Sequence, residues 1–116
     1  RPPPALSEEL FDLWRKFPGK TGIAVVRIDG DWQLAWRGDD LFPQQSVSKL
    51  WVTLAALDAV DRGRVSLDDQ VRIAPDDLTL FSQPIASRVR REGEVRESVA
   101  SLIAQAINRS DNTAND

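Results

Sequence analysis

Apolar positions along the chain recur with two different periods. Leu10, Leu13, Trp14 and Phe17 fall at i, i+3, i+4 and i+7, the spacing of one helical face. Ser7 is the expected N-cap of that helix, and Glu8 and Glu9 suit its positive end. Arg1 to Ala5 contains three consecutive prolines and reads as an extended lead-in, and Pro18-Gly19 stops the helix. The period then shortens to two. Ile23 to Ile28 is a β-branched apolar run, and in Trp32 to Arg37 the residues Trp32, Leu34 and Trp36 alternate with Gln33, Ala35 and Arg37. Two such runs around Asp29-Gly30 predict a β-hairpin. A lone hairpin is marginal in water, so these strands are expected to belong to a larger sheet.

Residues 38–45 read as loop. From Ser46 the helical period returns, with Val47, Leu50, Trp51, Leu54, Leu57 and Val60 on a wide apolar face and Gly63 as a C′ residue. Few charges interrupt residues 50–57, so this helix is expected to be central. Each Leu or Trp buried there would contribute roughly 1.5–3 kcal/mol. Val65 to Ile73 predicts a short strand, and Pro75-Asp76-Asp77 opens a short helix. Residues 82–97, with Arg88, Arg90 and Arg91, give no clear pattern and read as a solvated loop. A last amphipathic helix is expected from Ser98 to Asn108, carrying Val99, Leu102, Ile103, Ala106 and Ile107. Beyond it, Ser110 to Asp116 resembles the opening turn of another helix, with Ser110 or Asp111 as N-cap. A first turn with nothing to propagate into predicts a truncation at this point.

Composition narrows the chemistry. The 116 residues carry 15 Lys plus Arg and 18 Asp plus Glu, a net charge of -3, which argues against a nucleic-acid partner. No apolar stretch is long enough to span a membrane. His, Cys, Met and Tyr are all absent. That excludes a Ser-His-Asp triad, a thiolate nucleophile, a disulfide and a zinc cluster. Without an initiating Met, Arg1 is expected to follow processing or truncation, with any signal peptide already removed. The Asp39-Asp40, Asp68-Asp69 and Asp76-Asp77 pairs fit no calcium loop and read as turn and cap residues. No metal or cofactor is called for. A nucleophilic enzyme built from these residues has to use Ser, Thr or a carboxylate, with Lys, Asp or Glu as base.

Ser46-Val47-Ser48-Lys49 supplies such a pair at the start of the most apolar helix. Positions i and i+3 share a helical face, so the Ser46 hydroxyl and the Lys49 amine can meet. The positive helix end and burial both disfavour an ammonium there, leaving an amine able to act as base. The Ser46 N–H is a free donor for a developing oxyanion. Ser48 is the competing reading, as a first-turn capping residue. Alone, S-x-x-K is a weak signal, since roughly one chain in two of this length contains it by chance. Ser110-Asp111-Asn112 adds weight, because that tripeptide is expected about 0.02 times by chance. It lies 64 residues after Ser46, behind an apolar helix. Ser110 can pass a proton to a leaving nitrogen, and Asn112 can hydrogen-bond both Lys49 and a substrate amide.

S-x-x-K followed by Ser110-Asp111-Asn112-Thr113-Ala114 resembles the class A serine β-lactamases and their penicillin-binding relatives. The resemblance covers nearly the whole chain. It implies a three-layer α/β (α+β) fold with helices around an antiparallel sheet. Residues 1–116 would be the N-terminal portion of a single β-lactamase-like domain, an incomplete fold. It further implies Ser46 as the acylated nucleophile, Lys49 as base or proton relay, and Ser110 as proton donor to the lactam nitrogen. Asn112 would bind the substrate's side-chain amide, Asp111 would be structural, and Phe81 would be an aromatic wall of the cleft. The implied activity is class A-like serine β-lactam hydrolysis, periplasmic or secreted, with a small-molecule β-lactam as substrate. A penicillin-binding, D,D-peptidase-like or sensor protein, or an inactive fragment, is the alternative.

The family's K-[ST]-G strand and deacylating glutamate both follow S-D-N. They would lie in the remaining C-terminal part of the domain, in the same, a separate or a swapped chain. Lys20-Thr21-Gly22 precedes S-x-x-K and reads as a turn into the first strand. It is not a P-loop, because Trp14 occupies the first glycine position.

Overall fold

A computed structural model describes residues 1–116, in two compact units, residues 1–43 and 44–116. The first unit comprises α1 (Pro4–Lys16), β1 (Ile23–Val26) and β2 (Gln33–Trp36). The strands pair antiparallel, Ile23 opposite Trp36 and Val26 opposite Gln33, around the predicted hairpin. The alternation has its expected cause: Ile23, Val25, Leu34 and Trp36 are half-buried while Ala24, Val26, Gln33 and Ala35 are exposed. Both strands are shorter than the apolar runs, and Ile28 lies fully exposed in the connection.

Helix α1 departs from expectation at its start. It begins at Pro4, and Ser7 lies inside it with its hydroxyl donating to the Pro3 carbonyl at 3.2 Å. Proline at the first helical position has its φ pre-set and no N–H to leave unpaired, so the proline run nucleates the helix. Leu10 and Trp14 are half-buried, but Leu13 and Phe17 are exposed. Phe11, Trp14 and Trp36 form an aromatic cluster with centroids 5.7–6.4 Å apart. The Trp14 indole N–H donates to the Thr21 carbonyl at 3.0 Å, which fixes Lys20-Thr21-Gly22 as the irregular entry to β1.

The second unit contains α2 (Ser48–Asp61), β3 (Gln70–Ile73), α3 (Ala86–Glu92), β4 (Val95–Ser98), α4 (Val99–Arg109) and α5 (Asn112–Asn115). Single 3-10 turns at Gln45–Val47 and Pro75–Asp77 precede α2 and follow β3. Strands β3 and β4 pair antiparallel, Ile73 opposite Val95 and Gln70 opposite Ser98. The core is Ile73, Ile85, Val89 and Val95, with Leu78 and Leu102 packed against it. The unpatterned segment 82–97 therefore contributes three of the four central core residues. Helices with antiparallel sheets agree with the expected class, but each sheet is two-stranded, so the larger sheet expected for the hairpin is not formed within residues 1–116. No helix is long and apolar enough to cross a membrane.

Helix α2 ends as predicted. Gly63 takes φ +66°, and the Gly63 and Arg64 N–H groups donate to Val60 and Ala59 carbonyls in a Schellman arrangement. Its burial is not as predicted. Leu50, Trp51 and Leu54 are 55%, 54% and 58% exposed, and the one buried residue is Lys49. The helix is apolar around its whole circumference, whereas α4 and α5 pack along one side only. Trp51 also departs from the burial expected on that apolar face, with its indole N–H donating to Gln44 Oε1 at 2.8 Å.

Helix α4 starts at a true N-cap, the Ser98 hydroxyl accepting from Ser101 N–H at 3.1 Å. Beside it, Glu97 accepts from the Ser101 hydroxyl and pairs with Arg88 of α3. The Ser101 hydrogen bond first, then Arg88, hold the Glu97 carboxyl below its ordinary value of 4.5, against the opposing effect of burial. A folded-state value below the unfolded one stabilises the fold above the ordinary carboxylate range, and that contribution disappears as pH falls through the lowered value. Glu97→Gln is therefore expected to flatten the acid limb of the stability profile below about pH 5. Urea unfolding of both proteins at a series of pH values checks this.

Candidate active site

The loop preceding α2 turns sharply before Ser46. Gln45 takes φ +50°, and the following 3-10 turn sets Ser46 one helical turn ahead of Lys49. Lys49 is 5% exposed, its stem buried and its Nζ directed at two neutral partners. Its Nζ donates to Ser46 Oγ at 3.2 Å and to Asn112 Oδ1 at 2.6 Å. Ser46 Oγ also lies 3.0 Å from Ser110 Oγ. The four residues singled out by sequence thus form one hydrogen-bonded chain, Ser110–Ser46–Lys49–Asn112, across a separation of 64 residues. Ser48 caps nothing. The α2 N-cap position is Val47, with no side-chain hydrogen bond.

Ser110 and Asn112 are delivered by the junction of α4 and α5. Ser110 closes α4 in the left-handed conformation, φ +52°, ψ 36°, and its N–H donates to the Gln105 carbonyl. Asp111 is fully buried and has two backbone partners. Its Oδ2 accepts from Ile85 N–H at 2.7 Å, and its Oδ1 accepts from Ala114 N–H at 3.1 Å. It is therefore the N-cap of α5 and also a tie to the core around Ile85. Asn112 is held from both ends. Its N–H donates to the Ser82 carbonyl at 2.9 Å and its Nδ2 to the Leu80 carbonyl at 2.7 Å.

Phe81 stands at the tip of the loop that receives those bonds. It is 90% exposed, takes φ +62°, and lines the same open cavity as Ser46, Lys49, Ser110 and Asn112, about 490 Å³ in volume. Four non-glycine residues in the chain have positive φ, and three of them, Gln45, Phe81 and Ser110, line this cavity. Such conformations cost about 1–3 kcal/mol each and persist where surrounding contacts over-determine them. Sequence reasoning missed the contacts that do so here. Gln83 and Thr113 bridge the Phe81 loop to α5, with Thr113 Oγ1 donating to Gln83 Oε1 at 2.7 Å. The amide of Gln83 directly before Pro84 and α3 is the one local signal.

The model of the Beta-lactamase enzyme family matches residues 5–116. The curated β-lactamase Toho-2 of Escherichia coli is 33% identical over 110 residues, covering 95% of this chain and 37% of that protein. OXY-1 of Klebsiella oxytoca is 30% identical over 110 residues, covering 95% and 36%. Among solved structures, an ancestral class A β-lactamase superimposes with TM-score 0.80 at 34% identity, covering 95% of this chain and 41% of that one. A β-lactamase from Chitinophaga pinensis gives TM-score 0.80 at 28% identity, covering 92% and 39%. The chain belongs to the β-lactamase enzyme family, and more narrowly to its class A serine branch. It spans little more than a third of the length of the curated relatives it matches.

Proposed function

We propose that this chain carries the acylating half of a serine β-lactam hydrolase centre, with Ser46 as nucleophile. The observation that supports it most is the Ser110–Ser46–Lys49–Asn112 hydrogen-bonded chain around a buried lysine. Lys49, as the free amine, takes the Ser46 hydroxyl proton while Oγ bonds to the lactam carbonyl carbon. The Ser46 N–H donates to the carbonyl oxygen as it becomes an oxyanion. Collapse breaks the C–N bond. The ring nitrogen takes a proton from Ser110 Oγ, and Ser110 is reprotonated by the proton that Lys49 took from Ser46, which leaves Lys49 a free amine again. The product is an ester on Ser46, which water then cleaves to a penicilloate-type acid and free serine. Asn112 has one Nδ2 hydrogen beyond its bond to Leu80, available to a carbonyl on the substrate's acyl side chain. Phe81 forms the apolar wall beside that side chain.

Such an enzyme would work outside the cytoplasm, periplasmic or secreted, as the family resemblance implies. The exposed apolar circumference of α2 is the surface on which the remaining C-terminal part of the family domain packs. Intact-mass measurement after exposure to benzylpenicillin tests the function. The expected result is an adduct on Ser46 that decays as hydrolysed product accumulates. A stable adduct instead marks a slow-turnover penicillin-binding or sensor protein. Absence of both adduct and hydrolysed product overturns the reading.

A further inference from the structure

Gln83 lies outside both motifs, yet its side chain makes three hydrogen bonds at the edge of the cavity. Its Oε1 accepts from Thr79 N–H at 2.9 Å and from Thr113 Oγ1 at 2.7 Å. Its Nε2 donates to the Thr79 carbonyl at 2.9 Å. The amide therefore satisfies both backbone groups of Thr79, as a neighbouring β-strand would, and closes the five-residue loop 79–83 into a ring. The tip of that ring is Phe81, in the left-handed region where a bulky residue rarely rests. The carbonyls of Leu80 and Ser82, on either side of Phe81, hold the Asn112 side chain and backbone. Thr113, one residue further, completes the closure and is 8% exposed.

We propose that Gln83 is the positioning residue of the substrate-side wall. By clamping Thr79 and Thr113 together it fixes the Phe81 ring and the Asn112 amide in the orientations that receive the acyl side chain of the substrate. The proposal rests on the β-lactam reading above. Its main effect belongs on binding, because Phe81 and Asn112 Nδ2 face the acyl side chain; Asn112 Oδ1 also accepts from Lys49, so the smaller change in kcat reads how far the loosening reaches the base. Replacement by alanine releases the Thr79 C=O and the Thr113 hydroxyl and leaves the Thr79 N–H only its longer, 3.3 Å bond to Thr113 Oγ1. Replacement by glutamate is more telling. An ionised carboxylate keeps both acceptor contacts but meets the Thr79 carbonyl with a like charge. A protonated carboxyl is isosteric with the amide, accepting and donating as glutamine does.

The test uses steady-state kinetics and amide exchange on the full-length protein. Gln83→Ala is expected to raise KM for a benzylpenicillin-type substrate about 10-fold with kcat changed less than about 2-fold. Gln83→Glu is expected to behave like the alanine variant at pH 7 and to regain the original KM as pH is lowered through its carboxyl titration, while Gln83→Ala does not. Exchange at the Thr79 and Asn112 N–H groups is expected to accelerate in Gln83→Ala, with the interior of α4 unchanged. A KM unmoved in Gln83→Ala, or a loss confined to kcat, overturns the proposal, as does a Gln83→Glu variant without pH-dependent recovery. If the unsubstituted protein neither forms an adduct with benzylpenicillin nor hydrolyses it, the β-lactam reading fails. The clamp is then judged on exchange alone, and unchanged protection at Thr79 and Asn112 overturns it.

Discussion

Ser46→Ala will form no covalent adduct with benzylpenicillin, and Lys49→Ala will form it about 10²–10⁴ times more slowly. The two variants differ because the two groups have different jobs. Without Ser46 Oγ there is no atom to bond to the lactam carbonyl, so no residual pathway to that ester exists. Without Lys49 the hydroxyl remains in place, 3.0 Å from Ser110 Oγ, but has no amine to receive its proton. Water is then the remaining acceptor, and the loss expected is that of a positioned general base. Lys49→Ala also empties a buried site and frees Asn112 Oδ1, so melting temperatures of both variants should accompany the rates. Time-resolved intact mass reads the adduct directly. Equal acylation rates in Lys49→Ala and the unsubstituted protein would remove the lysine from the mechanism.

The Ser46–Lys49 pair is legible in the sequence because it rests on close spacing, and Ser110 to Asn112 because that tripeptide is rare. Three residues of separation on one helix turn bring Ser46 to Lys49 whatever the rest of the fold does. The helix leading to Ser110 was equally plain, since its apolar face and its Ser98 cap are both local. What sequence could not resolve is nonlocal. Helix α2 is apolar on every side, so its period says nothing about which side is covered. The segment 82–97 holds α3 and β4, whose apolar residues Ile85, Val89 and Val95 are interrupted by Arg88, Arg90 and Arg91. Those arginines are exposed, and Arg88 and Arg91 are paired with Glu92 and Glu97. Only the pairing of Val95 with Ile73 makes the strand, and those residues are 22 apart in the chain. At the N-terminus the error was one of competing local rules: a pre-organised proline at the first helical position outweighed a serine three residues later.

Asp111 is where the fold and the site depend on the same atoms, and its replacement should have the largest effect on stability. Asp111→Ala removes a fully buried carboxylate that accepts from Ile85 N–H and Ala114 N–H. Both donors lose their partner, and the space is too enclosed for bulk water to replace it. An unsatisfied buried donor costs about 1–3 kcal/mol, so a loss of roughly 2–5 kcal/mol is expected, read as a fall in the urea midpoint. Asp111→Asn keeps one acceptor but turns its NH₂ toward the other N–H, so it should recover only part of that loss. The same substitutions should slow acylation, although Asp111 touches neither Ser46 nor Lys49. Ser110 and Asn112 flank it, and the bond to Ile85 is what holds that turn against the core. If acylation falls while stability does not, Asp111 acts on the site alone. If stability falls and the surviving folded protein acylates at the original rate, the turn is held by Asn112's own bonds to Leu80 and Ser82, and Asp111 serves only the fold.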